Sequence, residues 1–154
     1  MKKIYLLEYR EFYYHDDFDD EDVEYRRTMG YFSSMEKVNC AIETCINHGI
    51  DSTKLFTKEY SFVASKNQKY VYILGYEYSI LSNENDDYED YFYDFEPMQN
   101  EEKCWKLKES LMQKKKYMKT PNKIFDSDSI DGFSICKMKI DSIYGLPKNG
   151  ESML

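Results

Sequence analysis

Tyr70-Val71-Tyr72-Ile73-Leu74-Gly75-Tyr76-Glu77 lines up with Lys3-Ile4-Tyr5-Leu6-Leu7-Glu8-Tyr9-Arg10 at an offset of 67 residues. Both stretches are β-branched and aromatic, a composition that fits a pleated, half-buried surface. An acidic run follows each, Asp16 to Glu24 in the first case and Asp86 to Asp90 in the second. Then Ser34-Met35-Glu36-Lys37 is echoed by Asn100-Glu101-Glu102-Lys103 at an offset of 66. Three matched features in one order and at nearly one offset read as an internal duplication.

Each copy predicts the same succession of elements. The first strands cover 3–10 and 70–80, and the second run from Arg27 to Phe32 and from Tyr88 to Phe95. A helix follows. In the first copy Ser33 or Ser34 is placed as N-cap, Met35, Val38, Ile42 and Cys45 form a stripe at helical spacing, and Gly49 is placed to end it. In the second copy Asn100 caps a helix opening with Glu101 and Glu102, which suit the positive end of the helix dipole. Cys104, Leu107, Leu111 and Met118 form its stripe, and Pro121 stops it. The third strands run from Lys54 to Val63, with Phe56, Tyr60 and Phe62 in one phase, and from Phe133 to Ile140, with Cys136, Met138 and Ile140 in phase. A polar segment rich in Asp and Ser, 120–131, precedes the last strand.

The expected fold is therefore α+β: two tandem β-β-α-β repeats, 1–68 and 69–146, forming one mainly antiparallel sheet with two helices packed on one face. Residues 147–154 have nothing to bury and read as a flexible tail. One copy of about 65 residues is marginal alone, so the two are expected to share one compact domain. The uncovered sheet face, supplied with Tyr and Phe, leaves a homodimer open.

The chain is 42% hydrophobic and 17% aromatic, enough apolar surface to argue against disorder. No apolar run approaches the roughly 20 residues that cross a bilayer, and the opening Met1-Lys2-Lys3 meets Glu8 too soon for a signal peptide. Cys40, Cys45, Cys104 and Cys136 make no tight disulfide framework, so reduced thiols and a cytoplasmic location are expected. Cys40, Cys45 and His48, spaced by five and three, lack the tighter pairing and fourth ligand of a zinc site. A calcium loop read from Asp17 would put Asp22 and Thr28 where Gly and Glu belong; read from Asn83 it puts Tyr88 and Asp94 there. Neither a metal nor a cofactor is expected.

Catalysis has no foothold either. His15 sits among carboxylates that favour a charged ring over a general base. No Ser or Cys carries a nucleophile signature, and no glycine-rich phosphate loop exists. The reading is non-enzymatic.

The net charge of −8 argues against direct binding of nucleic acid or of an anionic membrane. Its distribution says more. Residues 11–24 hold eight acids and 77–96 another eight, with no Lys or Arg in either stretch; the other 13 acids face all 21 bases. In the second run carboxylates alternate with rings, which sends Tyr91, Tyr93 and Phe95 to one face of a strand and Phe92 and Asp94 to the other. Half-buried strands with solvated hairpin loops are the ordinary account of such runs. The functional account is an anionic, ring-bearing surface for a basic protein partner. Its residues are Asp16, Asp17, Phe18, Asp19, Asp20, Glu21 and Asp22 in the first run, and Asp86, Asp87, Tyr88, Glu89, Asp90, Tyr91 and Tyr93 in the second. Lys103, Lys106, Lys108, Lys114, Lys115, Lys116, Lys119 and Lys123 gather on the second helix and its exit. A solvated helix face is the first reading of that cluster, with pairing to the acidic hairpins second. Trp105 is expected to pack on the sheet.

Tyr5-Leu6-Leu7-Glu8, followed by Gly30-Tyr31-Phe32-Ser33-Ser34-Met35-Glu36-Lys37 and Ala41-Ile42, resembles small proteins of low-GC Gram-positive bacteria and their phages. The resemblance covers about residues 3–63; 70–140 lacks the Gly-aromatic-Ser-Ser element. It brings no catalytic residues, and it implies an inhibitor of host defence or a toxin-neutralising protein; together with the acidic-aromatic surface, the expected function is a phage-encoded inhibitor that blocks a basic nucleic-acid- or nucleotide-binding surface of a host defence protein. The alternatives are an immunity protein neutralising a cognate toxin, and a small-ligand-binding protein or enzyme with a pocket between the repeats.

Overall fold

The structure, a computed structural model, describes residues 1–13, 23–81, 88–126, 129–148 and 153. The chain divides into two compact units, Met1–Phe62 with Lys139–Leu154, and Val63–Met138.

In the first unit β1 (Lys2–Tyr13), β2 (Val23–Phe32) and β3 (Leu55–Phe62) form an antiparallel sheet in the order β2-β1-β3. Helix α1 (Met35–Asn47) lies between β2 and β3 in sequence. Ser34 caps it by accepting the Lys37 amide at 3.2 Å, as the Ser-x-x pattern requires, and Gly49 at φ +89 follows its end. The helix buries Val38, Ala41 and Cys45 against Leu7, Tyr9, Met29 and Phe32, with Ile42 at the margin and Met35 outside. The buried stripe thus keeps Val38 and Cys45 of the expected one and takes Ala41 in place of Met35. Leu7 pairs with Gly30 and Glu8 with Thr28, so Met29 is the extra residue of a β-bulge, and its side chain is fully buried.

The segment that follows Lys139, expected in the second repeat, belongs instead to this unit, and of the expected tail Met153 is buried in its core. The Asp141 amide donates to the Tyr31 carbonyl at 2.8 Å and the Tyr144 amide to that of Met29 at 2.7 Å, so the segment runs as a strap along the outer edge of β2. Ile143 and Leu146 pack on the core, Met153 is buried in it, and Arg27 Nη1 donates to the Met153 carbonyl at 3.4 Å. The anchor is Asp141. Its carboxylate accepts from the Ser33 amide and hydroxyl, both at 2.8 Å, and from Lys37 Nζ at 2.9 Å. Gly30 has no room for a side chain, because the Ser142 carbonyl oxygen lies where its Cβ would be. The repeat boundary at 146 therefore gives way to one near 138, because these contacts tie the chain from Lys139 onward to the first unit.

In the second unit β4 (Tyr70–Leu81) is central: β5 (Tyr88–Asp94) pairs on one side, and the two-residue β6 (Lys123–Ile124) and β7 (Phe133–Lys139) also pair with β4. Helix α2 (Glu101–Met112) is capped by Asn100, which accepts the Lys103 amide at 2.9 Å. Its Cys104 and Leu111 pack with Leu74, Tyr76 and Phe133, and Leu107, Phe95, Tyr117 and Ile135 close the margin.

Two expectations change here. The strands make two antiparallel sheets rather than one, because the first strand of each unit is paired by strands of its own unit, and each helix packs on its own sheet. Helix α2 stops at Met112, well short of Pro121, and a 3-10 turn at Lys115–Tyr117 comes next. That turn places Tyr117 on Tyr76 and Phe133, a burial the continued helix would forgo. In β7 the phase facing α2 is Phe133 and Ile135; Cys136 is exposed and Met138 buried.

Candidate functional site

Pairing of β4 with β5 sorts the acidic-aromatic strand into two faces, because residues directly opposite in an antiparallel pair project to the same side. Tyr93 opposes Tyr76, Tyr91 opposes Tyr78 and Glu89 opposes Ile80 on the face toward α2. Asp94 opposes Gly75, Phe92 opposes Glu77, Asp90 opposes Ser79 and Tyr88 opposes Leu81 on the outer face.

The inner face is internally satisfied. Tyr91 stacks on Tyr78 with centroids 5.0 Å apart and rings 13° from parallel. Its hydroxyl donates to Glu89 at 2.8 Å, and that hydrogen bond, with the carboxylate's charge, holds the phenol above its ordinary pKa. The lysines leaving α2 close over these rings: Lys116 Nζ lies 4.6 Å from the Tyr93 centroid and Lys123 Nζ 4.6 Å from that of Tyr78. Lys123 also donates to the Tyr76 hydroxyl at 3.0 Å and to the carbonyls of Lys116 at 2.6 Å and Met118 at 3.2 Å. Lys108 bridges to Asp131 and covers the Trp105 ring at 4.8 Å. The lysine cluster is therefore not a uniformly solvated face. Three of its members hold rings or backbone of this unit, and Trp105 sits 42% exposed beneath one of them rather than on the sheet.

The outer face is exposed around β5, although Val71 and Ile73, farther along β4 on the same side, are buried. Phe92 is 61% and Tyr88 59% exposed, with Leu81 beside them. Glu77 stands across from Phe92, and Asp90 and Asp94 flank it two residues away on the same side, all three exposed. Asp90 accepts the Ser79 hydroxyl, which fixes it along the sheet. Gly75 makes room for Asp94: a Cβ there would lie 3.3 Å from its Oδ1. A ring ringed by carboxylates cannot be covered cheaply by an acidic or purely apolar group, but it meets both demands of a Lys or Arg side chain, an apolar stem and a cation.

Of the residues expected at the surface, Asp16, Asp17, Phe18, Asp19, Asp20, Glu21, Asp22, Asp86 and Asp87 lie outside the described residues. Glu11, at the start of the first run, is held by Lys54 at 2.9 Å and by the Tyr9 hydroxyl at 2.7 Å; the lysine hydrogen bond does most to lower its pKa. Tyr88 and Asp90 are on the outer face, whereas Glu89, Tyr91 and Tyr93 turn inward. Glu77, Phe92 and Asp94 complete the patch and were not among the expected residues, although strand alternation alone puts Phe92 and Asp94 together.

Burial pushes the Cys104 thiol up to about 11 and raises Cys45; burial and then Asp94 raise Cys136. Cys40 is exposed while Cys45 is in the core, so they point to different surroundings. Among the described residues no three His, Cys, Asp or Glu groups converge as a metal site would require, and no helix is long and apolar enough to cross a membrane. A shallow hollow of about 200 Å³ in the second unit is lined by Met112, Tyr117, Met118, Lys119, Phe125, Ile130 and Asp131. Its aspartate is already tied to Lys108.

Comparison with family models, with curated proteins and with solved structures gives no match.

Proposed function

We propose that this is a non-enzymatic binding protein whose acidic-aromatic surface, centred on the outer face of β4 and β5, occupies a basic surface of another protein. The observation that carries this is Phe92, exposed at the middle of a strand pair and ringed by Glu77, Asp90 and Asp94. Phe92 at 61% exposed forgoes part of the roughly 1.5–3 kcal/mol that full burial of such a ring is worth, and with Tyr88 and Leu81 beside it the exposed side chains form a patch rather than a lone ring. Lys116 and Lys123 cover the inner rings, Tyr93 and Tyr78, and the cation that suits Glu77 and Asp90 is one carried by another protein.

The basic surface it fits best is one built for phosphates, the nucleic-acid- or nucleotide-binding groove of a host defence protein, where carboxylates take the places of phosphate oxygens. A toxin with a comparable groove would make the protein an immunity factor instead, and the identity of the captured partner separates the two. We also read the units as copies of one β-β-α-β element. Supporting this are the central place of the first strand in each sheet and the side-chain-capped helix after each second strand.

The test is affinity capture from lysate at low and high salt, with Glu77→Lys/Asp90→Lys beside the natural protein. A basic partner retained at low salt, shed as salt screens the carboxylates and absent with the variant is the expected result. Capture indifferent to salt or to charge reversal would overturn the proposal.

A further inference from the structure

Beyond the side chains, β5 offers its backbone. It ends the sheet order β5-β4-β6, and among the described residues it pairs with β4 alone. The Phe95 amide donates to the Leu74 carbonyl at 2.9 Å, which fixes the phase of the ladder. Residues 89, 91, 93 and 95 turn their N–H and C=O groups to β4, and Tyr88, Asp90 and Phe92 turn theirs outward. The Glu77 amide agrees with this phase, since it donates away from β5, to the Gly132 carbonyl at 2.9 Å. The outward backbone thus belongs to the same residues whose side chains make the exposed acidic-aromatic patch.

We infer that β5 is a strand-addition site, which takes an extended segment of a partner rich in Lys or Arg as a further antiparallel strand. This rests on the binding role proposed above and adds its mode. In such a pair the residue opposite Asp90 presents both its N–H and its side chain to Asp90. A lysine there meets the carboxylate while its backbone joins the ladder. Exposed edges are normally blunted by Lys, Pro or a bulge, and β5 has no Lys, Arg or Pro. What it has is Glu89, Asp90 and Asp94. A second copy of the same strand would bring further carboxylates to the seam and no Lys or Arg of its own, so self-pairing is opposed while a cationic strand is drawn in. Hydrogen bonds from the backbone supply affinity, and alternate carboxylates select the charge.

The experiment uses the full chain and three capped seven-residue peptides of alternating Lys and Val: the parent, one N-methylated at its lysine nitrogens, and one N-methylated at its valine nitrogens. All carry the same charge. When lysines face Asp90 and Phe92, their own amides form the ladder and the valine amides point away. The parent and the valine-methylated peptide are expected to bind alike, and the lysine-methylated one about tenfold or more weakly, as two or three ladder bonds are lost. The Asp90 and Phe92 amides should exchange more slowly in the parent complex. Equal binding of the two methylated peptides with unchanged exchange would overturn strand addition and leave the charged surface standing; no binding of any peptide would also overturn it. Failure of lysate capture together with peptide binding would remove the proposed role instead.

Discussion

Replacing Asp141 by Asn tests whether the C-terminal strap is held as described. Asp141 has φ +66, a conformation that Asn tolerates better than most residues, so the change isolates the carboxylate from backbone strain. Its carboxylate accepts from the Ser33 amide, the Ser33 hydroxyl and Lys37. The lysine side chain is 55% and the aspartate 28% exposed, so screening leaves the ion pair only a few tenths of a kcal/mol. An amide cannot accept on both sides, and the lost bond from a Ser33 donor costs about 1 kcal/mol more. The total is about 1–1.5 kcal/mol. Burial alone would raise the Asp141 pKa, but Lys37 and Ser33 together bring it below the ordinary value. A carboxyl lowered on folding contributes stability that is present above its unfolded pKa of about 4 and is lost as pH falls through the folded value. The assay is amide exchange at Tyr144, whose N–H bonds to Met29. At neutral pH the variant should exchange about 5–15 times faster there, and the gap should close toward pH 3. Exchange at Tyr144 within a factor of two of the natural protein, or equal acceleration at Glu77 in the other unit, would refute the reasoning.

Gly30→Ala drives a Cβ into the Ser142 carbonyl and the Phe32 ring, and should cost roughly 1–3 kcal/mol in urea unfolding, more than Gly49→Ala, which has open space and only its φ of +89 to strain. A smaller effect at Gly30 than at Gly49 would mean the strap does not pass there. Lys123→Met strips the ammonium from the Tyr76 hydroxyl and two carbonyls and should destabilise the second unit by roughly 1–3 kcal/mol, read from the fluorescence of Trp105, the chain's only tryptophan. Alkylation near neutral pH should modify exposed Cys40 first and leave buried Cys104, its thiol held at about 11, intact until unfolding. Equal rates at the two would contradict the core assignment.

Local chemistry made much of this fold legible. Ser34 and Asn100 sit where short polar side chains precede a helical stripe, and alternation places Tyr91 and Tyr93 opposite to Phe92, as the sheet has them. What escaped depends on long-range partners. Nothing near Asp141 announces that it binds Ser33, 108 residues away, and the Gly30-Tyr31-Phe32-Ser33 stretch shows its purpose only when the strap lies across Gly30. The early end of α2 and the two-residue β6 stem from Tyr117 and Lys123 reaching the Tyr76 ring, contacts with no periodic signature. At the candidate site the alternation of Tyr91, Phe92, Tyr93 and Asp94 is legible in the sequence, whereas the exposure of Phe92 depends on which face of β4 packs on α2, a long-range property.

The most direct measurement of the central claim is a map of backbone amide shifts as the unmethylated Lys-Val peptide is added to the isotope-labelled protein at low salt. The account predicts that the shifts centre on Glu77, Ser79, Asp90 and Phe92 and vanish at high salt or in Glu77→Lys/Asp90→Lys. Shifts that spare this face and gather elsewhere would contradict it.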